Sequence, residues 1–159
     1  EHFEWPQPQG TPPTVGEVLG DAMAADGWEG AASWAAKADS IGPTLVGGSR
    51  KHGGPDLGPT RARQAWLALG VDGRGLADQA PTADTAVDAI PRLTVRMAAR
   101  IQGFPDTWEI TGLKTSSYRQ VGNAFPPPVA QAIGQQIKKA IQAARSESPQ
   151  SALPLRLVS

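Results

Sequence analysis

The chain has 159 residues, no cysteine, and a formal charge of zero from 15 basic and 15 acidic side chains. It therefore has the length of one domain, and disulfides, thiolate metal sites and a thiol nucleophile are excluded within it. Glycine (18) and proline (15) make up about a fifth of the residues, well above the usual share, which predicts many loops around a thin core.

No apolar run approaches the roughly 18 residues of a membrane span, and no basic start precedes an apolar segment, so a cytoplasmic location is expected. The zero net charge conceals segregation along the chain. Residues 1–39 carry seven acidic side chains against Lys37 alone, whereas residues 50–74 carry five basic ones against Asp56 and Asp72. Residues 92–119 again carry five basic side chains against Asp106 and Glu109. Two local basic segments are thus available to a polyanion. The chain opens at Glu1 inside a Trp/Pro-rich phrase and reads as part of something larger.

Residues 1–13 hold four prolines and read as an extended lead-in. Thr14 and Glu17 form a capping-box pattern, predicting a helix from Val15 to about Met23 with Val15, Val18 and Leu19 buried. A second helix is expected over Trp28 to Lys37, its tryptophans and alanines suiting a packed face. Residues 41–59 hold six glycines and three prolines, and only Thr44 to Val46 looks strand-like. Arg50, Lys51 and His52 sit in this loop, either as solvated surface charges or presented to a partner. A lone His52, far from His2, makes no case for a metal, and no metal site is expected.

Thr60 to Leu69 (TRARQAWLAL) is a predicted helix with Thr60 as N-cap and Gly70 as stop. Arg61 and Arg63 fall in its first turn, where the helix dipole disfavours cations, so a phosphate or acidic neighbour is chemically reasonable. Residues 71–91 read as a flexible, acidic connection. Thr94 can cap a helix from Val95 to about Gln102 that ends at Gly103, with Arg96 and Arg100 on one face. A short strand is expected over Trp108 to Ile110 and a short helix over Tyr118 to Val121, broken by Gly122. Pro126-Pro127-Pro128 opens the longest helix, to about Ala144, with a stripe of Val129, Ile133, Ile137 and Ile141 that needs an apolar surface or a second copy to dock on. Residues 146–159 are expected to be a disordered tail or tether.

The block RLTVRMAARIQGFPD (residues 92–106) resembles the ninth signature motif of DNA (cytosine-5) methyltransferases, and YRQVGNAFPPPVA (residues 118–130) resembles their tenth. The two occur in the family's order, and the likeness runs to about Ala144. It implies a target-recognition region over residues 1–90, a closing segment over 91–117 with Arg92, Thr94, Arg96 and Arg100 as motif scaffold, and a helix over 118–145 that packs on a catalytic domain. The implied fold class is mixed α and β, loop-rich, with the C-terminal helix completing a Rossmann-like S-adenosylmethionine-dependent domain supplied by an N-terminal half. Asn123 and Phe125 then fall at the cofactor, although Asn123 equally suits a helix end after Gly122. Arg50, Lys51, Arg61 and Arg63 become candidates for double-stranded DNA, through phosphates more than bases.

Two departures qualify the resemblance. Met97 stands where the ninth motif usually has glutamate. The Pro-Cys loop that attacks cytosine C6, the glutamate that engages the ring and the glycine-rich cofactor loop are all absent, so no residue here is assigned a catalytic role. The implied function is a C-terminal portion or split subunit that recognises DNA, completes the S-adenosylmethionine pocket and partners a cysteine-bearing N-terminal part. The alternative is a non-enzymatic DNA- or protein-binding module derived from such an enzyme.

Overall fold

In a computed structural model, residues 2–8, 10–47 and 56–147 are described. Six helices follow in order: α1 (Val15–Ala24), α2 (Ala31–Lys37), α3 (Thr60–Ala68), α4 (Val95–Ile101), α5 (Lys114–Asn123) and α6 (Pro127–Glu147). No strand occurs among the described residues; the nearest approach is a pair of isolated bridges from Asp26 and Gly27 to Thr82. The mixed α and β expectation is therefore corrected to an essentially all-α fold, and with it goes the Rossmann-like layer.

The reasons are local. Trp108, expected in a strand, donates its N–H to Pro105 in a turn at 2.9 Å, while its carbonyl accepts from Arg96 Nη1 at 2.9 Å, so neither group is left for a ladder. Thr44 to Val46, also expected to be strand-like, pair with no strand, and residues 46–47 lie against α5 instead. A Cβ built on Gly122 would sit 2.6 Å from Gly47 Cα, and one built on Gly47 would sit 2.7 Å from Asn123 Cγ. Two facing glycines thus let a loop and a helix meet backbone to backbone. That contact also accounts for α5 running through Gly122, which was expected to break it.

The compact unit Gly10–Pro127 has its core between α1, α2, α4 and α5, where α1 packs on both α2 and α4 and α4 packs on α5. The capping box predicted for α1 is present: Glu17 N–H donates to Thr14 Oγ1 at 3.2 Å, and Thr14 N–H donates to Glu17 Oε2 at 2.7 Å. Such a cap contributes about 1 kcal/mol. Gly16 lies directly on the Ala35 carbonyl, where no Cβ could fit, and this brings α1 and α2 together.

Trp28, Trp34 and Trp66 are buried with Leu19, Met23, Leu93, Met97, Tyr118 and Val121. Two of the indoles also hold loops: Trp28 Nε1 donates to Ala86 O at 2.9 Å and Trp34 Nε1 to Gly70 O at 2.8 Å. Helix α2 begins at Ala31, three residues later than expected, because Gly27 adopts a positive φ of 83° and a turn from Trp28 O to Ala31 N–H precedes the helix.

Residues 2–8 group with residues 128–147 as a second unit. Phe3 and Trp5 stack edge to face there, with centroids 5.3 Å apart. On α6, Val129, Ile137 and Ile141 are 44%, 47% and 47% exposed. No helix among the described residues is long and apolar enough to cross a membrane. The tail assigned from residue 146 lies outside the described residues from 148 onward.

The glycine seam yields a stability test. Gly122→Ala is expected to cost roughly 1–3 kcal/mol, because backbone rather than a movable side chain occupies the space. Denaturant unfolding measures it, and an unchanged midpoint would show that residues 46–47 do not press on α5.

Candidate nucleic-acid interface

Helix α3 starts one residue earlier than its cap was expected: Pro59 is the N-cap, and Thr60 opens the helix. Its hydroxyl is used differently, accepting from Arg63 Nη2 at 3.2 Å. Arg63 Nη1 lies 3.9 Å from Asp56 Oδ2, and the other oxygen of Asp56 accepts the Gly58 N–H at 3.1 Å. Arg61 is exposed. Neither arginine has a favourable place in the helix dipole, so this turn remains a site for an added anion.

Gly70, at φ 72°, turns the chain back, and Val71 N–H donates to Trp66 O at 3.0 Å. Residues 71–75 then run beside α3, with Gly73 so close that a Cβ would lie 3.2 Å from Arg63 Cγ. Gly73 O accepts from Leu57 N–H at 3.0 Å, and Asp72 N–H donates to Pro91 O at 2.9 Å. Three segments distant in sequence are thereby fixed together.

Asp72 is the junction. Its Oδ1 accepts from Arg74 N–H at 3.1 Å and Arg74 Nε at 2.8 Å, and its Oδ2 accepts from Arg74 Nη2 at 3.2 Å and Arg92 Nε at 3.0 Å. The side chain is only 14% exposed. The Arg74 guanidinium, helped by the Arg74 N–H and by Arg92, holds this carboxyl far below the ordinary range against the opposing effect of burial. The result is a groove of about 450 Å3 lined by Thr60, Arg63, Gln64, Leu67, Arg74 and Ile90, among others. Leu67 and Ile90 give it an exposed apolar element. Arg63 and Arg74 line it, Asp56 lies beside Arg63, and Asp72 stands between Arg74 and Arg92, three positive groups to two negative.

The arginines of α4 are engaged within the fold. Arg100 donates from Nε and Nη2 to Asp106 at 2.8 and 2.6 Å, and from Nη1 to both oxygens of Asp21 at 2.7 and 2.9 Å. It links α4 to α1 and to the turn after α4. Hydrogen bonds from Arg100 lower the carboxyls of Asp21 and Asp106, and those carboxylates raise Arg100. Thr94 caps α4: Met97 N–H donates to Thr94 Oγ1 at 3.2 Å, and Thr94 N–H reaches the Met97 sulfur at 3.5 Å. A buried thioether thus occupies the place of the glutamate in a capping box.

Of the residues read from sequence, Arg63 lines the groove, Arg92 reaches it through Asp72 and Arg61 is exposed in the first turn of α3, while Thr94 caps α4 and Arg96 and Arg100 lie on it. Arg50, Lys51 and His52 lie outside the described residues. Asn123 packs on Gly47, and Phe125 is 60% exposed. These two residues border no sheet and no glycine-rich strand-to-helix turn, the elements that make a dinucleotide-type cofactor site. The expectation that the chain completes an S-adenosylmethionine pocket is overturned by that missing sheet. No cluster of metal-ligating side chains occurs among the described residues. Arg74 and Asp72 were missed from sequence; the signal was Asp72-Gly73-Arg74 immediately after the Gly70 helix stop, an Asx-type turn that brings the arginine back to its carboxylate.

The Arg100 ion pairs make a pH-dependent prediction. Carboxyls whose folded pKa is depressed stabilise the fold above their unfolded value of about 3.9, and that stability is lost as pH falls through the folded value. Arg100→Gln should therefore be less stable than wild type near pH 7, with the gap closing as pH falls below the ordinary carboxyl value of about 3.9. Denaturant midpoints over that pH range test this; a constant gap would contradict it.

The profile described as C-5 cytosine-specific DNA methylase matches residues 2–139. The Type II methyltransferase M.NaeI of Lentzea aerocolonigenes is 60% identical over 141 residues, which cover 88% of this chain and 34% of the relative. The Type II methyltransferase M.NgoMIV of Neisseria gonorrhoeae is 46% identical over 144 residues, covering 88% of this chain and 45% of the relative. DNA (cytosine-5)-methyltransferase 1 of Rattus norvegicus is 49% identical over 61 residues, or 38% of this chain and 4% of that protein. The chain thus spans between a third and a half of the two Type II methyltransferases. No solved structure matches it significantly.

Proposed function

We propose that this chain, which belongs to the C-5 cytosine-specific DNA methylase family, is a non-catalytic module that binds double-stranded DNA through the arginine groove beside α3. Its 159 residues contain no cysteine, so the covalent attack on cytosine cannot occur on them. The family depends on S-adenosylmethionine, but the described residues form no sheet to carry a site for it. In a complete protein of the family, methyl transfer falls to a part bearing the cysteine, with this chain serving as its DNA-binding partner.

The observation that carries the reading is the convergence of Arg63, Arg74 and Arg92 on one groove where cations outnumber carboxylates, with the exposed Arg61 beside it in the first turn of α3. Duplex DNA is a dense line of phosphates, and most protein contacts to it go to that backbone. Arg61 and Arg63, in the first turn of α3, are assigned to phosphates. The exposed Val129, Ile137 and Ile141 of α6 favour a second reading for that helix alone, as a docking face for protein.

Titration of a labelled duplex at several salt concentrations tests the DNA reading. Affinity should fall with salt, and the Arg61→Ala/Arg63→Ala double variant should weaken binding to all sequences alike and flatten the log–log salt slope by roughly two, about one per phosphate contact. Absence of duplex binding at low salt, or an unchanged slope in the double variant, would sink it.

A further inference from the structure

We propose that Arg74, aimed by Asp72, is a specificity-determining side chain that reads the O6/N7 edge of a guanine in the major groove, an inference that rests on the DNA-binding reading above.

A guanidinium has two hydrogen-bonding edges, one formed by Nε with one Nη and the other by the two terminal nitrogens. Asp72 occupies the first edge of Arg74, through Nε at 2.8 Å and Nη2 at 3.2 Å. This leaves Nη1 and the second hydrogen of Nη2 pointing away from the carboxylate, on a side chain that is 74% exposed. The carboxylate is itself fixed by the Arg74 N–H, by Arg92 and by the backbone bond from Asp72 N–H to Pro91. Arg74 is therefore exposed yet held in one orientation, and its outer edge is the fork that pairs with guanine O6 and N7.

Arg100 supplies an internal comparison. It too is held by carboxylates, but Asp106 takes one edge and Asp21 takes Nη1, so no complete fork is left to present. Arg96 directs Nη1 to the Trp108 carbonyl. Among these arginines only Arg74 combines a fixed plane with an outward edge.

The choice of a base over a phosphate follows from charge. A phosphate contact needs positive charge and little orientation, whereas Asp72 partly neutralises Arg74 and would repel a phosphate brought to the same place. A neutral base edge suffers no such repulsion and gains from a fork whose rotamers are already fixed. The flanking Leu67 and Ile90 offer apolar contact to a neighbouring base or sugar.

Selection from a pool of randomised duplexes by the 159-residue chain, followed by sequencing, tests this with Arg74→Lys and Asp72→Asn alongside. Circular dichroism and thermal midpoints establish that each variant is folded. Wild type should enrich a guanine at one position. Arg74→Lys, which keeps the charge, should retain binding to random duplex and lose roughly tenfold of the preference at that position alone. Asp72→Asn should blunt the same position with Arg74 intact, which a merely structural role would not single out. Replacing that guanine by 7-deazaguanine removes N7 and should weaken wild type but not Arg74→Lys. Uniform weakening of all sequences by Arg74→Lys, or an identical selected site in both proteins, overturns the guanine assignment and leaves DNA binding standing. Failure of the wild-type chain to bind any duplex overturns both.

Discussion

With no sheet among the described residues, the long connections have no ladder in which to satisfy their backbone, so each buried peptide group there must find its partner singly. In residues 10–127 that constraint is met by side chains reaching across the sequence. Trp28 and Trp34 donate to the carbonyls of Ala86 and Gly70, Gln102 to that of Val121, and Arg96 to that of Trp108. The connection between α3 and α4, which reads in sequence as mere linker, is pinned at several points and becomes part of the working surface. Its fixed backbone allows Asp72 to be nearly buried and fully partnered.

The arginines divide by what their carboxylates leave over. Those on α4 tie it to α1 and to the turn that follows it, and Arg100 has no complete edge to offer. Those around the groove are only partly compensated, leaving donors and net positive charge at a surface that also carries Leu67 and Ile90. Cation count alone would not separate the two groups; geometry does. The family match and the missing cysteine then fit a part that holds DNA while the chemistry resides elsewhere.

Features encoded within one turn of helix were legible in the sequence. Thr14 with Glu17 and Thr94 before its helix marked two starts, and Gly70 and Gly103 marked two stops, all by local hydrogen bonding or positive φ. What depends on distant partners was not. Thr44 to Val46 and Trp108 to Ile110 have strand-like composition, yet a strand exists only where another pairs with it. Gly122 reads as a helix breaker until Gly47 is seen facing it. The pairing of Arg92 with Asp72 spans twenty residues of sequence, so the partner of this arginine was not legible from its own segment. Met97 stands where the family's motif has glutamate, and the contact of its sulfur with the Thr94 N–H could not be read from the sequence.

The central claim is that DNA lies on the groove formed by α3 and the two turns beside it. Its most direct measurement is a nuclear magnetic resonance titration of the isotopically labelled chain with a short duplex, mapping the perturbed amides. Perturbations should concentrate in residues 60–64, 72–74 and 90–92. A map confined to α6 or to residues 96–108, with the groove unmoved, would contradict the account.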